Sequence, residues 1–258
     1  MLLTISTTHQ PATDLTFLLH KRPDRFQSFD VSFGRAHVFY PEVTDVRTTV
    51  ALVLEVDPVG LVRGKNRDQS FLLGQYVNDR PYVASSFLSV AMAEVFGTAM
   101  SGRSKDREEL AKTPIPLTAR IEVLPVRGGD DLVQRLLVPP GYTVETVRHA
   151  LDENFPEWGE SPYFAVTVTA TARLSELLNH LYVLIPVFDG AKHYFVGENE
   201  LAKLLSKGEG WLADHPEKEL IAQRYLRHRS SLYREALARL AEEQPIDESG
   251  DEPEDDEN

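Results

Sequence analysis

Two segments of the sequence combine arginine with tyrosine, a pairing that suits recognition. The first is Arg224–Arg229, which reads Arg-Tyr-Leu-Arg-His-Arg. Arginine binds phosphates and carboxylates, and tyrosine stacks on bases or fills pockets in protein surfaces, so the segment suits RNA or an acidic protein surface. A solvated helix face balanced by nearby glutamates is the alternative. The candidate partner- or RNA-binding residues here are Arg224, Arg227 and Arg229.

The second segment is Gln75–Tyr82, which reads Gln-Tyr-Val-Asn-Asp-Arg-Pro-Tyr. As an exposed turn it would display the aromatic and arginine groups that dominate the energetics of protein interfaces. Packing of the two tyrosines in the core is the alternative. The candidate binding residues are Tyr76, Asn78, Arg80 and Tyr82.

Motifs for catalysis, metal binding and cofactor binding are missing from the sequence. Gly60–Lys65 resembles a phosphate-binding loop, but its glycines are too close together, and Asn66 stands where Ser or Thr would bind Mg²⁺. No dinucleotide or adenosylmethionine loop, serine-nucleophile elbow or His-Glu-x-x-His motif is present. The eight histidines are scattered and there is no cysteine. We therefore predict no catalytic residues, no metal ligands and no cofactor site in this chain.

Apolar periodicity predicts an α+β fold. We expect a mixed, largely antiparallel β-sheet with packed helices in the first two-thirds of the chain, followed by a helical C-terminal part. The predicted strands cover residues 2–5, 50–56, 117–124, 143–147, 164–171 and 193–196, with a hairpin over 26–40 that turns at Gly34-Arg35. The predicted helices cover residues 14–20, 84–100, 130–138, 176–184, 199–205, 216–227 and 231–243. Thr13 or Asp14 is expected to cap the first helix, and Ser175 the fourth.

Composition divides the chain more clearly than any linker does. The 258 residues carry a net charge of −13, but ten acids and no basic residue lie between Glu242 and the C-terminus. The first 241 residues are therefore nearly neutral. We predict a β-rich α+β lobe over 1–172, a mainly helical lobe over 173–241 and an acidic disordered tail over 242–258. The first residues are too short an apolar run for a signal peptide, and no stretch could span a membrane, so we expect a cytoplasmic protein.

Long blocks of the sequence resemble one family, the bacterial 3′-terminal RNA ribose 2′-O-methyltransferases of RNA repair. The most distinctive block is Gln75–Ala91, and together the blocks span nearly all of the chain up to about residue 240. The other matching blocks are Leu2–Ile5, Thr8–Leu15, Leu18–Lys21, Phe33–Pro41, Val56–Gly64, Pro156–Gly159, His180–Val187, Lys192–Tyr194 and Gly208–Leu212. The chain resembles the N-terminal half of these proteins.

The resemblance implies a non-catalytic module. In the family, this half binds the partner polynucleotide kinase-phosphatase-ligase and activates its RNA ligase, so that cleaved RNA such as transfer RNA is sealed. S-adenosylmethionine and a divalent metal belong to the family's C-terminal domain, which methylates the 2′-OH of the 3′-terminal ribose. We found no match to that domain here, and we expect the acidic tail to be the link to it.

Three hypotheses follow from the residues and the resemblance together. The first is a ligase-activating module in a hetero-oligomeric complex, without a membrane partner. The second is an RNA-binding module that positions the broken RNA for the methyltransferase and the ligase. The third, an RNA methyltransferase complete in this chain, requires an adenosylmethionine site that the sequence does not contain.

Overall fold

A computed structural model describes residues 1–57, 85–190, 198–226 and 230–242. In these ranges seven strands form one antiparallel sheet in the order β2-β3-β4-β1-β5-β7-β6. The strands are β1 (Leu2–Thr7), β2 (Gln27–Val31), β3 (Gly34–Val43), β4 (Thr48–Val56), β5 (Ile115–Pro125), β6 (Thr143–Ala150) and β7 (Glu160–Ala172). With its helices concentrated toward the C-terminus, the chain has the predicted α+β fold.

Eight α-helices accompany this sheet in the described part of the chain. They are α1 (Asp14–Leu19), α2 (Ser85–Met100), α3 (Glu108–Ala111), α4 (Leu132–Leu137), α5 (Leu174–Asp189), α6 (Glu198–Gly208), α7 (Lys218–Tyr225) and α8 (Ser230–Glu242). Strand β5 alternates as a half-buried strand should, with Ile115, Leu117, Ala119 and Ile121 buried. Helix α5 packs against β5 and α2. Helices α6 and α7 pack against α5, and α8 packs against α6 and α7.

Most predicted elements are confirmed to within a few residues, and the hairpin is confirmed with a different turn. Val31 pairs with Gly34, so Ser32 and Phe33 form a two-residue loop. The predicted pivot at Gly34-Arg35 is wrong, because Gly34 is the first residue of β3. Its φ of +149° and its approach to the Glu55 carbonyl leave no room for a Cβ atom, which explains the glycine.

The two predicted helix caps are wrong. Thr13 makes no capping bond to α1, and the Asp14 carboxylate instead accepts a hydrogen bond from Arg107 Nε at 2.7 Å. Ser175 lies inside α5, whose N-cap is Arg173. There Glu176 accepts the Arg173 main-chain N–H at 2.9 Å. A glutamate at the third helical position thus replaces the expected hydroxyl.

Helix α5 also extends five residues beyond its predicted end and continues through Pro186. Its last ten residues, from His180 to Asp189, are buried throughout. A helix that is apolar on all sides is typical of a protein core, where burial outweighs the loss of one main-chain hydrogen bond at proline. The helix ends at Gly190, which adopts a left-handed conformation with φ +60°.

Several expectations lie outside the described residues. These are the strand over 193–196 and the acidic tail beyond residue 242. Buried side chains from both sides of residue 172 belong to one hydrophobic cluster. The division of the chain into two lobes at this position stays a prediction.

Gly34→Ala should lower the free energy of unfolding by about 2 kcal/mol, because the added Cβ overlaps the Glu55 carbonyl and the φ angle disfavours an L-residue. Gly97→Ala is the matched control. Gly97 lies in α2 with open space around it, so this change should raise the free energy by about 0.5–1 kcal/mol. Urea denaturation measures the stability of both variants. Equal stability would contradict the steric and backbone constraint at Gly34.

Candidate interaction surfaces

The residues singled out from the sequence divide between described and undescribed parts of the chain. Tyr76, Asn78, Arg80 and Tyr82 lie outside the described residues, as do Arg227 and Arg229. Arg224 is described, and its roles in partner or RNA binding stay predictions.

Arg224 is held at the C-terminal end of the buried helix α5. Its Nη1 donates to the main-chain carbonyls of Arg127, at 2.7 Å, and Val187, at 3.1 Å. The last carbonyls of a helix have no partner within the helix, and a cation there also meets the negative end of the helix dipole. The main-chain N–H of Arg127 binds the next carbonyl, that of Phe188, at 2.9 Å. Arg224 therefore has a structural role that sequence reasoning missed.

Exposed apolar residues lie on the β6–β7 hairpin. They are Val147 on the edge strand β6 and Leu151, Phe155 and Trp158 at the tip, and we call these four residues the hairpin surface. Phe155 and Trp158 are 44% and 59% exposed. Their rings stack with centroids 4.7 Å apart. Exposed aromatic pairs of this kind are typical of protein-binding surfaces.

Main-chain hydrogen bonds hold the tip in shape. Leu151 N–H donates to Gly159 O at 3.1 Å, and Trp158 N–H donates to Phe155 O at 3.0 Å. A short 3₁₀-helix, Pro156–Trp158, carries the tryptophan, and Gly159 closes it with φ +82°. Because the aromatic pair is already ordered, binding through it loses little conformational entropy.

The tip is acidic as well as apolar. Four carboxylates and no basic residue lie in the segment 152–160, at Asp152, Glu153, Glu157 and Glu160. Of these four carboxylates, only that of Glu160 forms an ion pair within the described ranges, with Arg148 at 2.9 Å. Such a surface repels RNA phosphates and favours a protein partner with an apolar pocket and a basic rim. The sequence signal was two aromatics three residues apart in a polar segment with Pro and Gly, but exposure depends on the edge position of β6.

A cleft of about 480 Å³ lies where the end of β7, the start of α5 and the loop after α6 meet, and we call it the α6 cleft. The side chains on which its chemistry depends are Arg173, Glu176, His180, Glu209, Trp211, Asp214 and His215. Trp211 meets the rings of His180 and His215 edge-on, at centroid distances of 4.7 and 5.8 Å. Its indole Nε1 donates to Lys207 O at 2.8 Å, which fixes the ring.

Both histidines of this cleft are held in the neutral form. Burial lowers the pKa of His180 to about 4. The negative charge of Glu176 opposes this shift, and electrostatic repulsion from His215 adds to it. Burial also lowers the pKa of His215. The Tyr142 hydroxyl lies 2.7 Å from His180 Nδ1, and burial raises the pKa of this tyrosine. At neutral pH this group of rings therefore carries no charge.

Metal-binding clusters and membrane-spanning helices are both absent from the described ranges. No group of three or more histidine, aspartate or glutamate side chains is arranged to hold a metal ion there. Nor does any helix of this part of the chain have the length and apolar character needed to cross a membrane.

Comparison with known proteins links the chain to RNA repair. Residues 1–241 match the family model described as the RNA repair, ligase-Pnkp-associating, region of Hen1. A comparison with curated proteins found no match.

Two solved structures are similar in fold. One is a chain of the Pnkp1/Rnl/Hen1 RNA repair complex, with 13% identity and a TM-score of 0.56, covering 91% of this chain and 54% of that one. The other is a chain in a structure of the Pnkp1/Rnl/Hen1 complex, with 13% identity and a TM-score of 0.57, covering 91% and 53%. The present chain spans about half the length of these solved chains.

Arg224→Ala should lower the free energy of unfolding by about 1–2 kcal/mol, because the Val187 carbonyl at the end of α5 and the Arg127 carbonyl lose a charged donor. Arg234→Ala is the control, since Arg234 is an exposed arginine of α8 and should stay within about 0.5 kcal/mol of wild type. Thermal unfolding compares them. An Arg224→Ala variant as stable as wild type would contradict the capping role.

Lowering the pH from 7 to 4 should cost the protein up to about 3 kcal/mol of stability through His180. The pKa of His180 is about 4 in the folded protein and about 6.5 in an unfolded chain, so the unfolded chain binds the proton first as the pH falls. The stabilisation is complete above pH 6.5 and is lost as the pH falls toward 4. His180→Gln should flatten the curve of stability against pH between these values. Denaturant unfolding of wild type and variant at several pH values measures this, and an unchanged slope in His180→Gln would contradict the assignment.

Proposed function

The chain belongs to the family of Hen1 regions that associate with ligase and Pnkp in RNA repair, and on this premise we propose that it binds an RNA ligase and activates it. The partner is a bacterial polynucleotide kinase-phosphatase-ligase, and the activated steps are ligase adenylation and the sealing of cleaved RNA such as transfer RNA. The observation that carries the proposal beyond the family is the hairpin surface, an ordered and exposed aromatic pair on an edge strand.

The hairpin surface supplies the binding energy in this account. Exposed aromatic side chains that enter a partner's pocket often contribute about 2 kcal/mol or more each to the free energy of binding. Edge strand β6 offers, in addition, main-chain groups that could pair with a strand of the partner. The acidic residues around the aromatic pair select against RNA and in favour of a basic rim on the ligase.

Activation requires that the chain bind the competent state of the ligase more tightly than the idle state. A hundredfold activation corresponds to a preference of about 2.7 kcal/mol. One or two aromatic contacts made only in the competent state would provide that difference. The chain then acts without touching the reacting atoms, as expected of a non-catalytic module.

Methylation is proposed to belong to another part of longer family proteins. There S-adenosylmethionine and a divalent metal would serve 2′-O-methylation of the 3′-terminal ribose. The lengths of the two chains support this assignment of methylation to another part. The present chain covers only 54% of the solved chain in the Pnkp1/Rnl/Hen1 RNA repair complex. The assembly would be a hetero-oligomer in the cytoplasm.

Trp158→Ala should raise the concentration of chain needed for half-maximal ligase adenylation about thirtyfold, since an aromatic hot spot is lost from the interface. Phe26→Ala is the matched control, because Phe26 is another exposed aromatic, placed just before the opposite edge strand β2. It should stay within about threefold of wild type. ATP-dependent adenylation of the ligase measures both variants. Equal effects of the two changes would contradict docking through the hairpin surface.

A further inference from the structure

A stack of three aromatic rings lies at the edge of the sheet opposite the hairpin surface. Strand β3 places Ala36 and Val38 in the core, so His37 and Phe39 lie on the other face of the sheet. The ring of Phe26, just before the edge strand β2, stacks on both of them. Its centroid lies 5.2 Å from that of His37 and 5.8 Å from that of Phe39. We call these three rings the aromatic stack.

The outermost ring of the aromatic stack has one open face. Phe26 is 62% exposed. Its plane is inclined by only 29° to the ring of His37 and by 21° to the ring of Phe39. Near-parallel rings cover one face of Phe26, so its exposed area lies mainly on the opposite face. A nucleobase can stack on such a face whatever its identity, because every base has a flat π-surface.

Hydrogen bonds hold the ring beneath Phe26 in place. His37 Nδ1 lies 2.9 Å from the Ser28 hydroxyl, and His37 Nε2 lies 3.1 Å from Glu55 Oε2. Ser28 is the cross-strand partner of His37 on β2, and Glu55 belongs to β4 on the other side of β3. Three neighbouring strands therefore fix the imidazole on which Phe26 rests. An ordered stack loses little conformational entropy when a ligand binds.

The loop next to the aromatic stack is basic. Residues 20–26, which we call the α1–β2 loop, contain three lysine or arginine residues and one acid. The Asp24 carboxylate pairs with Arg22 at 2.7 Å and, more distantly, with Arg25 at 3.9 Å. All three side chains are more than half exposed, so these ion pairs contribute little stability. One carboxylate cannot neutralise two guanidinium groups, and positive charge is left over for a phosphate beside Phe26.

A second basic segment contacts the α1–β2 loop. The main-chain carbonyl of Arg103, just past the end of α2, lies 3.1 Å from His20 Nε2. The side chains of Arg103 and Lys105 are exposed and form no ion pair within the described ranges. Asp106 is the one acid of residues 101–107. The basic surface therefore continues from the α1–β2 loop to the C-terminal end of α2.

We propose that the aromatic stack and the α1–β2 loop bind an unpaired nucleotide of single-stranded RNA. The base stacks on the open face of Phe26, and Arg22 and Arg25 donate to the flanking phosphates. A nucleotide uses both features of this surface, since its base needs a ring and its phosphates need cations. The choice of RNA over DNA rests on the proposed function, in which the partner seals cleaved RNA. The stacking itself does not depend on that function.

Phe26→Ala should weaken the binding of single-stranded RNA about tenfold, because the stacking surface is lost. Phe26→Tyr keeps the ring and should stay within about twofold of wild type. Trp158→Ala is the matched control, since it removes an exposed aromatic ring at the opposite edge of the sheet. Fluorescence anisotropy of a labelled RNA of about ten nucleotides measures the affinities. A duplex of the same sequence should bind more weakly, because its bases are stacked on each other.

An Arg22→Gln, Arg25→Gln double variant tests the phosphate contacts. The slope of log K against log salt concentration should fall in magnitude by about 1.4, because two phosphate contacts to a single strand are lost. Arg234→Gln, Arg239→Gln is the matched control, a pair of exposed arginines on α8. Its salt slope should equal that of the wild type.

Several results would overturn this assignment. They are the lack of saturable RNA binding by the wild type, equal affinities of wild type and Phe26→Ala, and a duplex bound as tightly as the single strand. Tighter binding of single-stranded DNA of the same sequence would overturn RNA as the ligand. If poly-glutamate displaced the labelled RNA as effectively as unlabelled RNA does, the surface would bind acidic protein segments instead.

Ligase adenylation separates this site from the proposed function, because the adenylation reaction contains no RNA. A Phe26→Ala chain that loses RNA binding and still activates adenylation, together with a Trp158→Ala chain that does the reverse, supports both. If the wild-type chain binds RNA through Phe26 and leaves adenylation unchanged, the proposed activation fails and the RNA site stands. If it activates the ligase and binds no RNA, the RNA site fails and activation stands.

Discussion

The burial of helix α5 is the constraint on which the rest of the molecule depends. This helix packs on strand β5 and helix α2, and helices α6 and α7 pack on it. Its end is held by Arg224 and the main chain of Arg127, which satisfy carbonyls that would otherwise be unpaired in the core. Its first half brings His180 to the α6 cleft. The same sixteen residues therefore contact the sheet and contribute to the lining of the cleft.

This arrangement explains which features could be predicted from the sequence. The strands were predictable because apolar residues alternate, as in β5, and the long helices because their apolar positions recur at helical spacing. The end of α5 was not predictable from local signals, since Pro186 marks a stop only where burial does not compensate. The caps failed for a related reason. The Asp14 carboxylate is bound by Arg107, which is distant in sequence.

The binding surfaces were harder to find from sequence than the fold. The arginine and tyrosine pattern drew attention to Arg224, whose guanidinium is used inside the molecule. Phe155 and Trp158 gave a weaker signal, because their exposure comes from the edge position of the hairpin and from the hydrogen bonds of its tip. The α6 cleft joins residues separated by almost eighty positions, from Pro139 to His215. Spacing along the chain does not reveal such a cleft.

The central claim is that this chain shifts a ligase toward its competent state. The most direct measurement is the fraction of ligase adenylated by ATP as increasing amounts of the chain are added. Our account predicts a saturable rise that levels off when the two proteins reach their binding stoichiometry, because only bound ligase is shifted. A ligase that is adenylated to the same extent without the chain would contradict it.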